Sequence, residues 1–285
     1  MSDHTVQRVL LLGGSGMLGT DLRDTVPASV ELHAPARVDV DLIDTAAIAN
    51  CLDALSPDWV INAAGYTFVD GAEQDAALAH EVNASAIGRL GRLCASCNIG
   101  IVHFSSDYVF SGTLGRPYSE TDAPAPINVY GRTKLEGERQ LLASGARTIL
   151  VRTQWLFGRN GRSFPRTMRE RAMAHLPTRV VCDQLGRPTY ARDLAEWTWL
   201  LTRREALGTW HAANASPTTW FDVASRIFES IGASSLLAPC TSAEYPTAAR
   251  RPANSTLSTT KLEAALESPL PPWTDALDRF LATVI

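Results

Sequence analysis

The chain has 285 residues, long enough to bury a substantial core as one large domain or as one domain with a smaller lobe. Its 45% hydrophobic and 20% charged residues, with a mean hydropathy of -0.04, are the balance of a soluble globular protein. A net charge of -4 gives no general basic field for nucleic acid, no apolar run is long enough to span a membrane, and residues 1–8 lack the charged-then-apolar order of a signal peptide, so the expected location is the cytoplasm.

Val9-Leu10-Leu11-Leu12 is a short continuous apolar run, the pattern of a strand buried on both faces of a parallel sheet. It enters Gly13-Gly14-Ser15-Gly16-Met17-Leu18-Gly19, followed by a helical pattern to about Val26. Glycines at 13, 16 and 19 allow a tight turn and close backbone approach, and aim the helix N-terminus at a pyrophosphate. A second strand, Val30 to His33, ends without a carboxylate and runs into Ala34-Pro35-Ala36-Arg37. An acidic residue there would favour NAD; Arg37 is either a solvated loop residue or the guanidinium that meets a 2′-phosphate. Asp41-Leu42 follows, then a helix from about Asp44 to Leu55.

Trp59 to Asn62 reads as a third strand ending in the small-residue stretch Ala63-Ala64-Gly65-Tyr66-Thr67, which leaves room for a ligand. A long helical region spans about Ala72 to Asn98, and a fourth strand, Ile101 to Phe104, closes on Ser105-Ser106-Asp107. Two hydroxyls at a sheet's carboxyl edge could hydrogen-bond a carbonyl substrate, although a Ser-Ser pair alone is usually a capping turn. Asn128-Val129-Tyr130-Gly131-Arg132-Thr133-Lys134 opens a helix to about Ser144 that puts Tyr130 and Lys134 on one face. An ammonium one turn from a phenol favours the phenolate and brings it closer to working range; alone, the spacing also fits an exposed pair on an ordinary helix.

Further strands are expected at Thr148–Arg152, Arg179–Cys182 and Gly208–Ala212, with helices at about Ser163–Ala174 and Asp193–Thr202. Trp220, Val223, Ile227 and Ile231 then share helical spacing, and a last helix follows Trp273. The alternation predicts an α/β fold, a Rossmann-type doubly wound parallel sheet with a smaller substrate-binding lobe. Residues 1–154 form the dinucleotide-binding part, with 178–212 returning to it, and 155–177 with 213–285 form the lobe. Five scattered cysteines make no disulfide framework; Cys94 and Cys97 share an apolar helical face with Leu90 and Leu93 and read as core. The six histidines never fall at metal-ligand spacing, so no structural metal is expected.

The glycine loop, Ser106, and Tyr130 with Lys134 together resemble the extended short-chain dehydrogenase/reductases. Val60 to Thr67 with Val69-Asp70 and Ala72-Glu73, Ser106 to Phe110, and Asn128 to Glu138 narrow the resemblance. So do Arg152-Thr153 with Trp155, Asp183-Gln184 with Gly186 and Pro188-Thr189, and Tyr245-Pro246-Thr247 with Arg251-Pro252. These are similar to the dTDP-4-dehydrorhamnose reductases over nearly the whole chain. The resemblance implies that Tyr130 donates a proton, that Lys134 is its electrostatic partner and ribose anchor, and that Ser106 hydrogen-bonds the substrate. It implies that Gly16, Met17 and Leu18 approach a pyrophosphate, that Asp41 and Leu42 border an adenine, and that Gly65, Tyr66 and Thr67 line the inner half of the cofactor. It implies that Asp107 and Trp155 face a nucleotide sugar.

The implied reaction is reduction of a 4-keto-6-deoxy sugar, with NADPH the expected cofactor and NADH the alternative. Position 106 is Ser where relatives often carry Thr, which keeps the hydroxyl. Arg192 interrupts the Thr189–Asp193 segment through which some relatives bind magnesium, so no metal site is expected. A 4,6-dehydratase would place Asp-Glu after the hydroxyl residue, whereas Asp107 is followed by Tyr108. A non-catalytic regulatory subunit is the other alternative, against which Ser106, Tyr130 and Lys134 all count. The expected partner is a nucleotide sugar, with neither nucleic acid nor membrane, and any self-association is expected to give a homodimer.

Overall fold

The structure, a computed structural model, describes residues 6–283; residues 1–5, part of the segment weighed for a signal peptide, lie outside it. The first half contains β1 (Gln7–Leu12), α1 (Met17–Asp24), β2 (Val30–His33), α2 (Thr45–Leu55), β3 (Trp59–Asn62), α3 (Val69–Gln74), α4 (Ala76–His80), α5 (Ala86–Ser96), β4 (Gly100–Ser106) and α6 (Val129–Ala143). The second contains β5 (Arg147–Thr153), β6 (Leu156–Phe157), α7 (Phe164–Met173), β7 (Thr178–Val181), β8 (Leu185–Gly186), β9 (Thr189–Tyr190), α8 (Ala191–Arg203), β10 (Gly208–His211), β11 (Thr218–Thr219), α9 (Trp220–Ser230), β12 (Leu237–Cys240), α10 (Thr260–Leu266) and α11 (Trp273–Thr283).

Six strands form one parallel sheet in the order β10-β5-β4-β3-β1-β2. β1 shows why its run is continuous: Val9 and Leu11 pack with Leu18, Leu22, Trp197 and Trp199 of α1 and α8. Leu10 and Leu12 face the opposite layer, with Ile48, Leu52, Ile87 and Leu90 of α2 and α5. Both faces of the run at residues 9–12 are therefore covered, which is why its four residues are all apolar. The chain runs from β1 out to β2 and then crosses back to β3, so the strand order, though not the strand direction, reverses between β1 and β3. At such a switch point the helices diverge and leave a crevice at the carboxyl ends of the strands.

The second half adds a separate core, in which Met168 and Ala172 of α7, Val223, Ile227 and Phe228 of α9, and Ala276, Leu277 and Phe280 of α11 pack together. β7 belongs to this lobe. The segment 178–212 was expected to return whole to the main sheet, but β7 pairs in parallel with β12 instead, and only α8 and β10 rejoin the sheet and its helical layer. The reason lies in its pattern: Thr178 and Val180 are buried while Arg179 is exposed, the alternation of a strand with one covered face.

The long helix expected over 72–98 is broken. Asp75 (φ -126°, ψ 63°) leaves helical geometry, and its carboxylate caps α4 by accepting from the Leu78 N–H at 3.1 Å. A π-helical turn, Glu81–Ser85, then joins α4 to α5 and buries Asn83. Such turns are frequent at functional sites because they redirect one side chain. Asn83 Nδ2 donates to the Tyr66 carbonyl at 3.0 Å and to Thr133 Oγ1 at 3.2 Å, while its Oδ1 accepts from the Tyr66 N–H at 3.0 Å.

Candidate active site

The glycine loop turns tightly between β1 and α1. Gly13 has φ +79°, and a Cβ there would lie 2.6 Å from the Ala64 backbone nitrogen; a Cβ at Gly19 would collide with the Gly13 carbonyl. A side chain at either position would push the loop off the end of β3. Gly16 occupies the N-cap of α1 with no side chain to satisfy the first amides of the helix, which leaves them for an anion. Across the loop, Asn62 shapes Ala63-Ala64-Gly65: its Oδ1 accepts from the Ala64 N–H at 3.1 Å and its Nδ2 meets His103 Nδ1 at 3.1 Å. Asn83 fixes the next residue, Tyr66, from the other side.

The start of α6 is equally constrained. Asn128 caps it, accepting from the Gly131 N–H at 2.7 Å and donating to the Arg250 carbonyl at 2.8 Å, while Glu73 accepts from the Val129 N–H at 2.7 Å. Tyr130 and Lys134 are thereby aimed at the carboxyl end of β4. Lys134 is buried and donates from Nζ to the Phe104 carbonyl at 2.6 Å. A Cβ added to Gly65 would sit 3.9 Å from that Nζ, which places the ammonium beside the open Gly65 backbone. Ser106 Oγ donates to Asp107 Oδ1 at 2.8 Å and accepts from the Tyr108 N–H at 3.1 Å, and the Tyr130 ring meets Tyr108 edge-on at 5.9 Å between centroids.

The electrostatics correct one expectation. Lys134 was expected to lower the Tyr130 phenol, yet burial pushes that phenol up to about 12, Asp107 adds to the rise and Ser106 opposes it. Burial also lowers Lys134 to about 8, with Glu138 one turn further along α6 working against the drop. The ammonium is engaged by the Phe104 carbonyl rather than by the phenol. Burial raises Asp107 to about 7 against its hydrogen bonds to Ser255 and Ser106.

One cleft of about 730 Å³ joins these parts, within the size range of small-molecule sites. Its walls include the residues assigned to cofactor, substrate and catalysis, namely Gly13, Gly16, Met17, Leu18, Arg37, Asp41, Leu42, Gly65, Tyr66, Thr67, Ser106, Asp107, Tyr130, Lys134 and Trp155, while Gly19 of the glycine loop lies outside them. Arg37 stands at the rim, its side chain 78% exposed, and donates from Nε to Asp41 Oδ2 at 2.9 Å.

Sequence reasoning missed Arg162, Gln154 and Trp220, which also line the cleft. Gln154 is 2% exposed and neither atom of its amide has a partner, so a buried donor and acceptor stand at the wall. The glycine cradle, the uncapped start of α1 and this orphaned amide all suit a dinucleotide with a polar second ligand. The segment around Arg192 does not suit a metal: Arg192 pairs with Glu196 at 3.4 Å, and Asp193 is taken by Arg279 at 2.6 and 2.7 Å and by Asn214 at 2.6 Å. Among the described residues no group of three or more His, Cys, Asp or Glu could hold one.

Comparison with known proteins agrees with this geometry. The family model described as the RmlD substrate binding domain matches residues 7–285. A dTDP-4-dehydrorhamnose reductase of Burkholderia thailandensis is 36% identical, covering 93% of this chain and 95% of that protein. One from Mycolicibacterium smegmatis is 38% identical, covering 99% of this chain and 88% of its own. The crystal structure of dTDP-4-dehydrorhamnose reductase from Bacillus anthracis in complex with NADP superposes with a TM-score of 0.93 at 30% identity, covering 97% of this chain and 99% of that one. A Streptomyces antibioticus protein named a probable dTDP-4,6-dihydroxy-2-methyloxan-3-one 4-ketoreductase is 38% identical, over 95% of this chain and 93% of its own. With a family match running from the first sheet strand to the end of the chain, a shared fold and relatives matched over nearly their full length, this chain belongs to the dTDP-4-dehydrorhamnose reductase family.

Proposed function

We propose that the protein reduces the C4 keto group of dTDP-4-dehydro-L-rhamnose to give dTDP-L-rhamnose, with NADPH as reductant. The observation that carries this reading is the convergence of the glycine loop, Ser106, Tyr130 and Lys134 on one cleft in a member of this family. Gly13, Gly16, Met17 and Leu18 would hold the pyrophosphate of the cofactor. Asp41 and Leu42 would border its adenine, Arg37 its 2′-phosphate, and Gly65, Tyr66, Thr67 and Lys134 its inner ribose. NADPH, when bound, supplies the hydride that reaches C4. Tyr130 gives its phenolic proton to the C4 oxygen, and burial keeps that proton in place at neutral pH.

Ser106 Oγ turns from Asp107 to donate to the same oxygen, so two oriented donors meet charge as it develops. Lys134 balances the phenolate left on Tyr130. Asp107 and Trp155 would face the nucleotide sugar, whose remote contacts position the reacting carbon. From the lobe side, Trp155, Arg162 and Trp220 line the cleft. Among the described residues no helix is long and apolar enough to cross a membrane.

A second reading, reduction of a different dTDP-4-keto sugar, is favoured by the Streptomyces antibioticus relative. Incubating the protein with NADPH and a panel of dTDP-, GDP- and UDP-4-keto sugars separates these. Tyr130→Phe should lower kcat by roughly 10²–10⁴ with NADPH binding unchanged, the loss expected when a general acid is removed. A variant reducing its 4-keto sugar at the wild-type rate would overturn the mechanism, and a wild-type protein that binds NADPH but reduces nothing would point to a regulatory subunit.

A further inference from the structure

Trp155 has φ +48°, a left-handed conformation that is a genuine outlier for so bulky a residue. Such a conformation persists only where the surroundings hold it, and one short ribbon does so here. Strands β8 and β11 pair antiparallel, with Thr218 opposite Gly186. Gly186 lies against one part of the indole: a Cβ there would be 2.5 Å from Trp155 Cε2 and 2.9 Å from Nε1. Immediately after β11, Trp220 stacks on Trp155 with ring centroids 3.7 Å apart and planes 12° from parallel.

Trp220 is itself fixed. Thr219 and Asp222 form a reciprocal capping box that sets the first turn of α9, and Phe164 of α7 packs against the ring at 4.6 Å and 56°. The Trp155 carbonyl also accepts from the Thr189 N–H at 3.2 Å. Both indoles line the cleft.

We propose that Trp220 and Gly186 are positioning residues, a clip in the smaller lobe that holds the Trp155 indole against the nucleotide-sugar half of the cleft. The inference rests on the reading above in which Trp155 faces the sugar nucleotide. It gives Gly186 a steric reason, since any side chain there would displace the ring. It also gives Trp220 a second task that Val223 and Ile227 on the same helical face lack: they are buried within the lobe core, whereas Trp220 packs at its edge and lines the cleft.

The test uses Trp220→Ala, Trp220→Phe and Gly186→Ala in the full chain. Trp220→Ala and Gly186→Ala should each raise KM for the 4-keto sugar nucleotide roughly tenfold, the order of one aromatic contact, while kcat and KM for NADPH stay within about twofold. Trp220→Phe keeps a stacking face and should recover most of the loss. The far-ultraviolet exciton couplet of a stacked indole pair should be present in wild type and absent from Trp220→Ala. An unchanged sugar-nucleotide KM in the alanine variants, an equal rise for NADPH, or a couplet that survives Trp220→Ala would overturn the proposal. Should Trp220→Ala fail to fold, the KM of Gly186→Ala decides alone. Should wild type reduce no 4-keto sugar, the functional reading falls, and calorimetric binding of a dTDP-sugar still judges the clip: weaker binding by Trp220→Ala supports it and equal binding overturns it.

Discussion

The buried ion pair behind the site ties the stability of the fold to the charge of Lys134, and removing it is informative on both counts. Arg152, near the end of β5, donates from Nε and Nη2 to the two carboxylate oxygens of Glu138 at 3.0 and 2.7 Å, and the two side chains are 7% and 2% exposed. Arg152→Met deletes the cation and keeps much of the volume. A buried charge stripped of its partner costs about 3–5 kcal/mol. With an unfolding entropy of about 2.1 cal/mol/K per residue, a chain of this length has roughly 0.6 kcal/mol/K, so the melting temperature should fall by about 5–8 °C. The double variant Arg152→Met, Glu138→Leu should regain most of that, because an apolar replacement for the whole pair is close to neutral. Since Glu138 is the charge that holds Lys134 up against burial, the double variant should also move the alkaline limb of kcat/KM to lower pH than in wild type, where it is expected near 8. Thermal melts followed by circular dichroism, with pH–rate profiles on the dTDP-4-keto sugar, read both effects. A double variant as unstable as the single one, or an alkaline limb that does not move down, refutes the reasoning.

Asp107 is raised by burial from 3.8 to about 7, so the folded state holds its proton more tightly than the unfolded chain does. Its contribution is fully present below pH 3.8 and is lost as pH climbs to about 7; Asp107→Asn should therefore gain melting temperature relative to wild type at pH 8 but not at pH 4, and a parallel pair of pH–Tm curves counts against this. Arg37→Ala should weaken NADPH more than NADH in titrations of the two cofactors, and equal losses would mean that Arg37 is only a surface partner of Asp41. Turnover should survive EDTA, because the acidic residue of the 189–193 segment is already taken by Arg279 and Asn214; a large loss restored by magnesium would show the opposite.

Much of the scaffold could be read from local pattern because local pattern was what built it. Residues 9–12 of β1 and 59–61 of β3 are apolar since both of their faces are covered, and the glycines announce a turn whose Cβ contacts admit little else. What escaped depended on residues far apart in sequence. The π turn at Glu81–Ser85 exists to send Asn83 to Tyr66 and Thr133, 17 and 50 residues away. Strands of two residues, such as β8 and β11, carry no periodicity, and only their pairing reveals them. Trp220 shares helical spacing with Val223 and Ile227, yet at the first turn of α9 it packs at the edge of the lobe core and lines the cleft, while they are buried within that core. β7 was assigned to the wrong sheet because four residues of strand pattern do not say which edge they will join.

The position of Lys134 changes the account of how the acid works. From spacing alone an ammonium one turn from a phenol lowers its pKa, and the phenol becomes a better proton donor at neutral pH. In the folded chain the ammonium is turned to the Phe104 carbonyl and the phenol is held near 12. For a reduction this is no handicap. The group needed at the start is the protonated phenol, and burial together with Asp107 keeps it so. The alkoxide that hydride addition creates at C4 is a stronger base than a phenolate, so the proton still moves towards it. The difficulty comes afterwards, when a buried phenolate remains in a site that disfavours charge. Lys134 is the cation at hand for that moment, on the same helix face and beside the open backbone of Gly65. In the proposed mechanism its role is then to stabilise what the transfer leaves behind, and the interaction strengthens as the proton departs. An interaction of that kind contributes to the transition state rather than to the ground state, which is where it accelerates the reaction.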